Sequence, residues 1–84
     1  MAKVRMYSTG MCPFCVRAEQ LLKSRGVNDI EKIRVDLDPT ERQIMMQKTG
    51  RRTVPQIYIG ERHVGGYEEL AELDHVGELV SLLK

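Results

Sequence analysis

Charge of one sign is missing from this sequence: 13 Lys and Arg stand against 12 Asp and Glu, for a formal net charge of +1. Such a balance gives no field that would make a nucleic acid or a membrane surface the main partner, so binding is expected to be local. Long apolar runs are missing too. Stretches such as Val54 to Ile59 and Leu79 to Leu83 fall far short of the ~20 residues that cross a bilayer, and the N-terminus lacks the apolar segment of a secretion signal. These absences lead to the expectation of a cytoplasmic protein. Ligands for a structural zinc are also scarce. Such a site needs about four Cys or His, yet the sequence has two of each, and His63 and His75 lack the short spacing of a metal pair. No repeat, linker or low-complexity tract interrupts the 84 residues, which read as a single domain, 1–84, with one small core.

Against this sparse background, the two cysteines stand close together in Cys12-Pro13-Phe14-Cys15. In a reducing compartment a structural disulfide is not the default use of two cysteines, whereas a transient catalytic one is compatible. Two intervening residues let the sulfurs meet within one turn. Pro13 suits the first helical position, because its fixed φ matches the helix and its missing N–H is one that no helical carbonyl would have accepted. The free N–H groups of the first turn and the positive end of the helix dipole then point at the Cys12 sulfur. In such surroundings a cysteine pKa falls from about 8.5 into roughly the 3.5–7.5 range, which makes the thiolate available near neutral pH. Cys12 is thus the expected nucleophilic sulfur and Cys15, one turn further in, the more buried partner. Half a zinc site and two inert core cysteines are the bland alternatives.

Period-two alternation around Val4 and Met6 predicts a strand, broken by Ser8-Thr9-Gly10 just before the motif. Phe14, Cys15, Ala18, Leu21 and Leu22 then repeat at helical spacing until Gly26. Ile33, Val35 and Leu37 alternate with charged residues as a second strand. Asp38-Pro39-Thr40-Glu41 opens a second helix with an N-cap, a first-position proline and a glutamate placed for a capping box, and that helix stops at Gly50. Within it, Ile44 and one of Met45 or Met46 read as core filler. Thr53 to Ile59 is apolar and β-branched, and Gly60-Glu61 joins it to Arg62-His63-Val64 as a hairpin. After Gly65-Gly66, Tyr67 to Leu83 is helical with a break between Asp74 and Gly77. The order βαβαββα implies an α/β domain with a mixed four-stranded sheet, helices on both faces and a last helix that can be split. That is a thioredoxin-like arrangement, with a ligand expected where the loop after the first strand, the start of the Thr53 strand and the Gly65-Gly66 turn converge.

Three motifs in this order, Cys12-Pro13-Phe14-Cys15, Thr53-Val54-Pro55 and Gly65-Gly66-Tyr67-Glu68-Glu69-Leu70, resemble those of glutaredoxins, specifically the small bacterial dithiol type, over nearly the whole chain. The resemblance implies a glutathione-dependent oxidoreductase that reduces protein disulfides and glutathione mixed disulfides, with glutathione as co-substrate and no bound cofactor or metal. It implies a cis bond before Pro55, a backbone contact from Val54 to the cysteine moiety of glutathione flanked by Thr53, and a γ-glutamyl carboxylate held at Gly66, Tyr67 and Glu68. Arg42 and Arg51 match positions that can take the glycine carboxylate. Phe14 stands where tyrosine is common and serves as apolar cover for the disulfide. Thr9 occupies a position that is lysine in many family members, and Tyr67-Glu68 replaces a small residue followed by aspartate or serine; both bear on affinity more than on chemistry. His63 and His75 are expected in packing or surface roles, and Tyr7 and Tyr58 in the core.

By family, the couple sits at about −200 to −230 mV, close to that of glutathione. Disulfide-containing or glutathionylated proteins are the expected partners, with no nucleic acid or membrane, and a monomer is the expected state. A thioredoxin-like electron donor is the nearest alternative, disfavoured by the absence of tryptophan before Cys12 and by Pro-Phe between the cysteines. An iron–sulfur cluster carrier using Cys12 and glutathione is the other, disfavoured by Pro13.

Overall fold

The computed structural model describes residues 2–84. Its elements follow in the order β1 (Val4–Ser8), α1 (Pro13–Ser24), β2 (Ile30–Arg34), α2 (Pro39–Thr49), β3 (Gln56–Ile59), β4 (Arg62–Gly65), α3 (Tyr67–His75) and α4 (Glu78–Leu83). The strands form one sheet in the order β2-β1-β3-β4. β1 runs parallel to β2, with Val4 opposite Ile30, because a helical crossover returns the chain in the same direction. β3 is antiparallel to both β1 and β4, with Tyr7 opposite Gln56 and Ile59 opposite Arg62.

Because successive strand side chains point to opposite faces, the sheet sorts its residues between two cores. Val4, Met6, Ile57 and Ile59 face Ala18 and Leu22 of α1, Leu70 of α3 and Leu79 and Leu83 of α4. Tyr7 and Tyr58 face the other way, onto Met45 of α2 and Val35. Met45 is the buried one of the two adjacent methionines, and the tyrosine rings meet edge to face at 6.4 Å. Leu22 and Leu70 are fully buried, each a burial of about 2–3 kcal/mol relative to exposure. The thioredoxin-like arrangement with helices on both faces is what the element order implies.

Helix ends follow the local chemistry. The Asp38 carboxylate accepts the N–H of Thr40 at 3.0 Å and of Glu41 at 3.4 Å, Pro39 opens the first turn, and Gly50 closes α2 in the left-handed region at φ +71°. The final helical stretch is divided at Gly77, φ +80°. Two expectations shift. The second strand ends at Arg34, so Leu37 lies in the turn beyond it and is 72% exposed instead of facing the core. The strand expected from Thr53 begins at Gln56, which leaves Thr53, Val54 and Pro55 as loop backbone outside the sheet.

Candidate functional site

Cys12 is the N-cap of α1, in extended conformation at φ −143°, with Pro13 at the first helical position. The Cys15 N–H points at the Cys12 sulfur at 3.1 Å. The two cysteines form a disulfide with Cα atoms 5.2 Å apart. Cys15 is buried on the helix face that meets the sheet, whereas Cys12 is half-buried and accessible. No acidic residue occupies the first turn of α1, so nothing there opposes negative charge on Cys12. Once the bond is reduced, the dipole and the Cys15 N–H favour a thiolate at Cys12 over one at Cys15.

The peptide bond between Val54 and Pro55 is cis. The Val54 carbonyl lies 3.8 Å from the Cys12 sulfur, which brings the loop before β3 against the motif. Beside it runs a groove of about 360 Å³ lined by Phe14, Arg51, Thr53, Val54, Pro55, Gly66, Tyr67 and Glu68, with Gln56 and Glu69 completing it. Of the binding residues expected from sequence, these eight share that groove; Arg42 does not line it and lies exposed on α2. Phe14 and Tyr67 face each other across the groove, with ring centroids 6.1 Å apart, and the Arg17 guanidinium sits 5.4 Å from the outer Phe14 ring. Phe14 is 51% exposed, so its helical spacing serves a rim and not the core.

At the far end the chain enters α3 through Gly65, φ +117°, and Gly66. The Glu69 carboxylate accepts the Gly66 N–H at 2.7 Å and the Arg51 guanidinium at 2.7 Å. The Gly66 backbone bond, followed by Arg51, holds the Glu69 carboxyl below its usual range. Gly65 is required here twice over, since its φ disfavours any Cβ and a Cβ would meet the Glu69 carboxylate. Glu69 and Gln56 are the residues that sequence reasoning missed. The Gly66-to-Glu69 spacing is that of a helix-start box and was the available signal for the first. Gln56 gave none: it is fully buried at the start of β3, donates to the Thr53 carbonyl at 2.9 Å and shares a 2.8 Å hydrogen bond with His63. Burial, and then Arg51, lower the His63 pKa. His63 stacks on Tyr58 at 5.1 Å, while His75 ends α3 in an exposed position.

A disulfide at a helix start, next to an open groove with exposed backbone, equips the protein to exchange its own sulfur–sulfur bond with that of a partner. Comparisons with known proteins agree. The family model described as Glutaredoxin matches residues 4–64. A glutaredoxin of Neisseria meningitidis serogroup A is 47% identical over 83 residues, covering 99% of this chain and 98% of that protein. Glutaredoxin 3 of Escherichia coli K12 is 43% identical over 84 residues and matches both chains in full. Among solved structures, a buckwheat glutaredoxin–glutathione complex superimposes with a TM-score of 0.89 at 29% identity, covering 98% of this chain and 76% of that one. Sequence, fold and the chemistry available to the Cys12–Cys15 pair therefore converge, and the chain belongs to the glutaredoxin family as a thiol–disulfide oxidoreductase.

Proposed function

We propose that the protein uses glutathione to reduce protein disulfides and glutathione mixed disulfides, with Cys12 as nucleophile and Cys15 as resolver. The observation that carries this reading is the groove beside Cys12, where Val54 of the loop before β3, the Phe14–Tyr67 pair and the Gly66 turn lie within one cleft. A γ-glutamyl tripeptide has matching parts: a backbone to pair with Val54, a sulfur to reach Cys12, and carboxylates for the Gly66 turn and Arg51. The solved relative bound to glutathione supports the same ligand class.

In the reaction, the Cys12 thiolate attacks the glutathionyl sulfur of a mixed disulfide, and the substrate leaves as a thiolate that takes a proton. A second glutathione thiolate then attacks the glutathionyl sulfur on Cys12, which releases oxidised glutathione and regenerates Cys12. With a protein disulfide, Cys12 forms the mixed disulfide with one substrate sulfur, and Cys15 attacks the Cys12 sulfur to release the second substrate thiol. Two glutathione molecules then reduce the resulting Cys12–Cys15 bond. Burial suits Cys15 to this intramolecular step, since it meets Cys12 and few external disulfides.

The test is turnover of a glutathione mixed disulfide, coupled to glutathione reductase, by the wild type and by Cys12→Ser and Cys15→Ser. The reading requires loss of activity in the first and retention in the second. Activity in Cys12→Ser would overturn the nucleophile, and turnover with thioredoxin reductase but not with glutathione would replace the reductant.

A further inference from the structure

A second groove, of about 310 Å³, reaches the disulfide from the β2 side and is lined by Gly10, Cys12, Cys15, Glu19, Lys32 and Arg34 among others. Position 9, where many glutaredoxins have lysine, is threonine here, yet cations still approach the motif from β2. Arg34 makes a bidentate pair with Asp36 in the turn after β2, Nε to Oδ1 at 2.7 Å and Nη2 to Oδ2 at 2.7 Å. Asp36 Oδ2 also accepts the Gly10 N–H at 3.2 Å. A Cβ on Gly10 would come within 2.6 Å of Arg34 Nη2, so the guanidinium lies directly against the loop backbone two residues before Cys12. The other charged residues lining this groove, Glu19 of α1 and Lys32, pair with each other at 2.9 Å, and Glu19 also takes Lys23 at 3.1 Å. On the opposite side of the motif stand the Arg51–Glu69 pair and Glu68, with the Arg17 guanidinium against the Phe14 ring.

We infer that Arg34 and Asp36 are positioning residues for the reaction: together they clamp the loop that delivers Cys12 and set the net charge beside it close to zero. The inference rests on Cys12 being the nucleophile. Asp36 holds the loop through Gly10 and neutralises the cation that would otherwise favour the thiolate. Arg34 in turn prevents Asp36 from opposing that thiolate. The two members therefore act on Cys12 with opposite sign, which separates this role from a merely structural one. A structural ion pair would move Cys12 the same way whichever partner was removed.

The experiment follows the rate of Cys12 alkylation by iodoacetamide against pH, in a Cys15→Ser background that leaves a single thiol. A unit charge uncovered within about 10 Å in partly aqueous surroundings changes an ionisation equilibrium about two- to threefold. Asp36→Asn should raise the alkylation rate below the pKa by about that factor and Arg34→Gln should lower it by about the same. The double variant should return to the background, as should Arg34→Lys. For the loop, Gly10 amide exchange should quicken in Asp36→Ala and stay slow in Asp36→Asn, which keeps an acceptor oxygen. Shifts of the same sign, no shift, or Gly10 exchange indifferent to Asp36→Ala would overturn the inference. Failure of the nucleophile assignment would show separately, as turnover surviving in Cys12→Ser.

Discussion

Two helices of this protein begin beside the groove, and they treat their N-termini in opposite ways. α1 begins with a sulfur at its cap and no carboxylate in its first turn. α3 begins with Gly66 and has Glu68 and Glu69 in its first turn, with Glu69 already bound to the Gly66 N–H. The same partial positive charge is left open for a thiolate at one end and is partly answered by the chain's own carboxylate at the other. Within α1 itself, backbone and sulfur alone meet at the helix start. The α3 start depends instead on side chains, Glu68 and Glu69, that can be exchanged without touching the cysteines.

The sharpest way to break this comparison is Cys12→Ser, which should reduce turnover of both substrate classes to background in the coupled assay. Cys15→Ser should abolish reduction of protein disulfides while glutathione mixed disulfides continue to turn over. Equal loss on both substrates would mean that the two cysteines are not functionally separable. At the α3 end, Gly65→Ala forces a Cβ into φ +117° and against Glu69; the expected cost is about 1–3 kcal/mol, read as a lower urea midpoint. Reduced Cys12 should keep its alkylation profile in that variant.

Glu69→Gln is a smaller change, which weakens the Gly66 bond and releases Arg51. An expected loss of about 1 kcal/mol follows from one weakened hydrogen bond, with a change in KM for glutathione and little in kcat. Glu69 also gives the comparison a pH signature. Its folded-state pKa lies below the ordinary value of 4.5, so its contribution to stability is fully present above that value and is lost as pH falls through the folded pKa. Thermal unfolding should show a wild-type decline below about pH 4.5 that is shallower in Glu69→Gln. If the two slopes match, the α3 start is not held by that carboxylate.

Much of the fold was legible because its signals are local. Pro39 after Asp38, Gly50 and the Gly60 turn act within a few residues, and the alternation of Val4 and Met6 reports a strand directly. Leu37 misled because alternation continues into a turn, where backbone geometry and not side-chain period decides which way a residue faces. The groove was legible in part, since Phe14, Val54 and Gly66 belong to motifs. Gln56 and the Arg34–Asp36 pair were not, because each acquires its role from a partner on another element: His63 on β4 for the first, the Gly10 loop for the second.

By itself the sequence pointed to the chemistry: two thiols three residues apart, at a helix start marked by proline, suit a redox couple, and the Thr53-Val54-Pro55 and Gly65-Gly66 motifs set that reading above a metal site. Only the tertiary structure decided what that couple meets. The parallel β1–β2 pairing brings Arg34 and Asp36 to one side of the motif, and the antiparallel β3 brings Val54 to the other. Side chains distant along the chain become neighbours only through strand register, and register is set by which faces the whole sheet can bury.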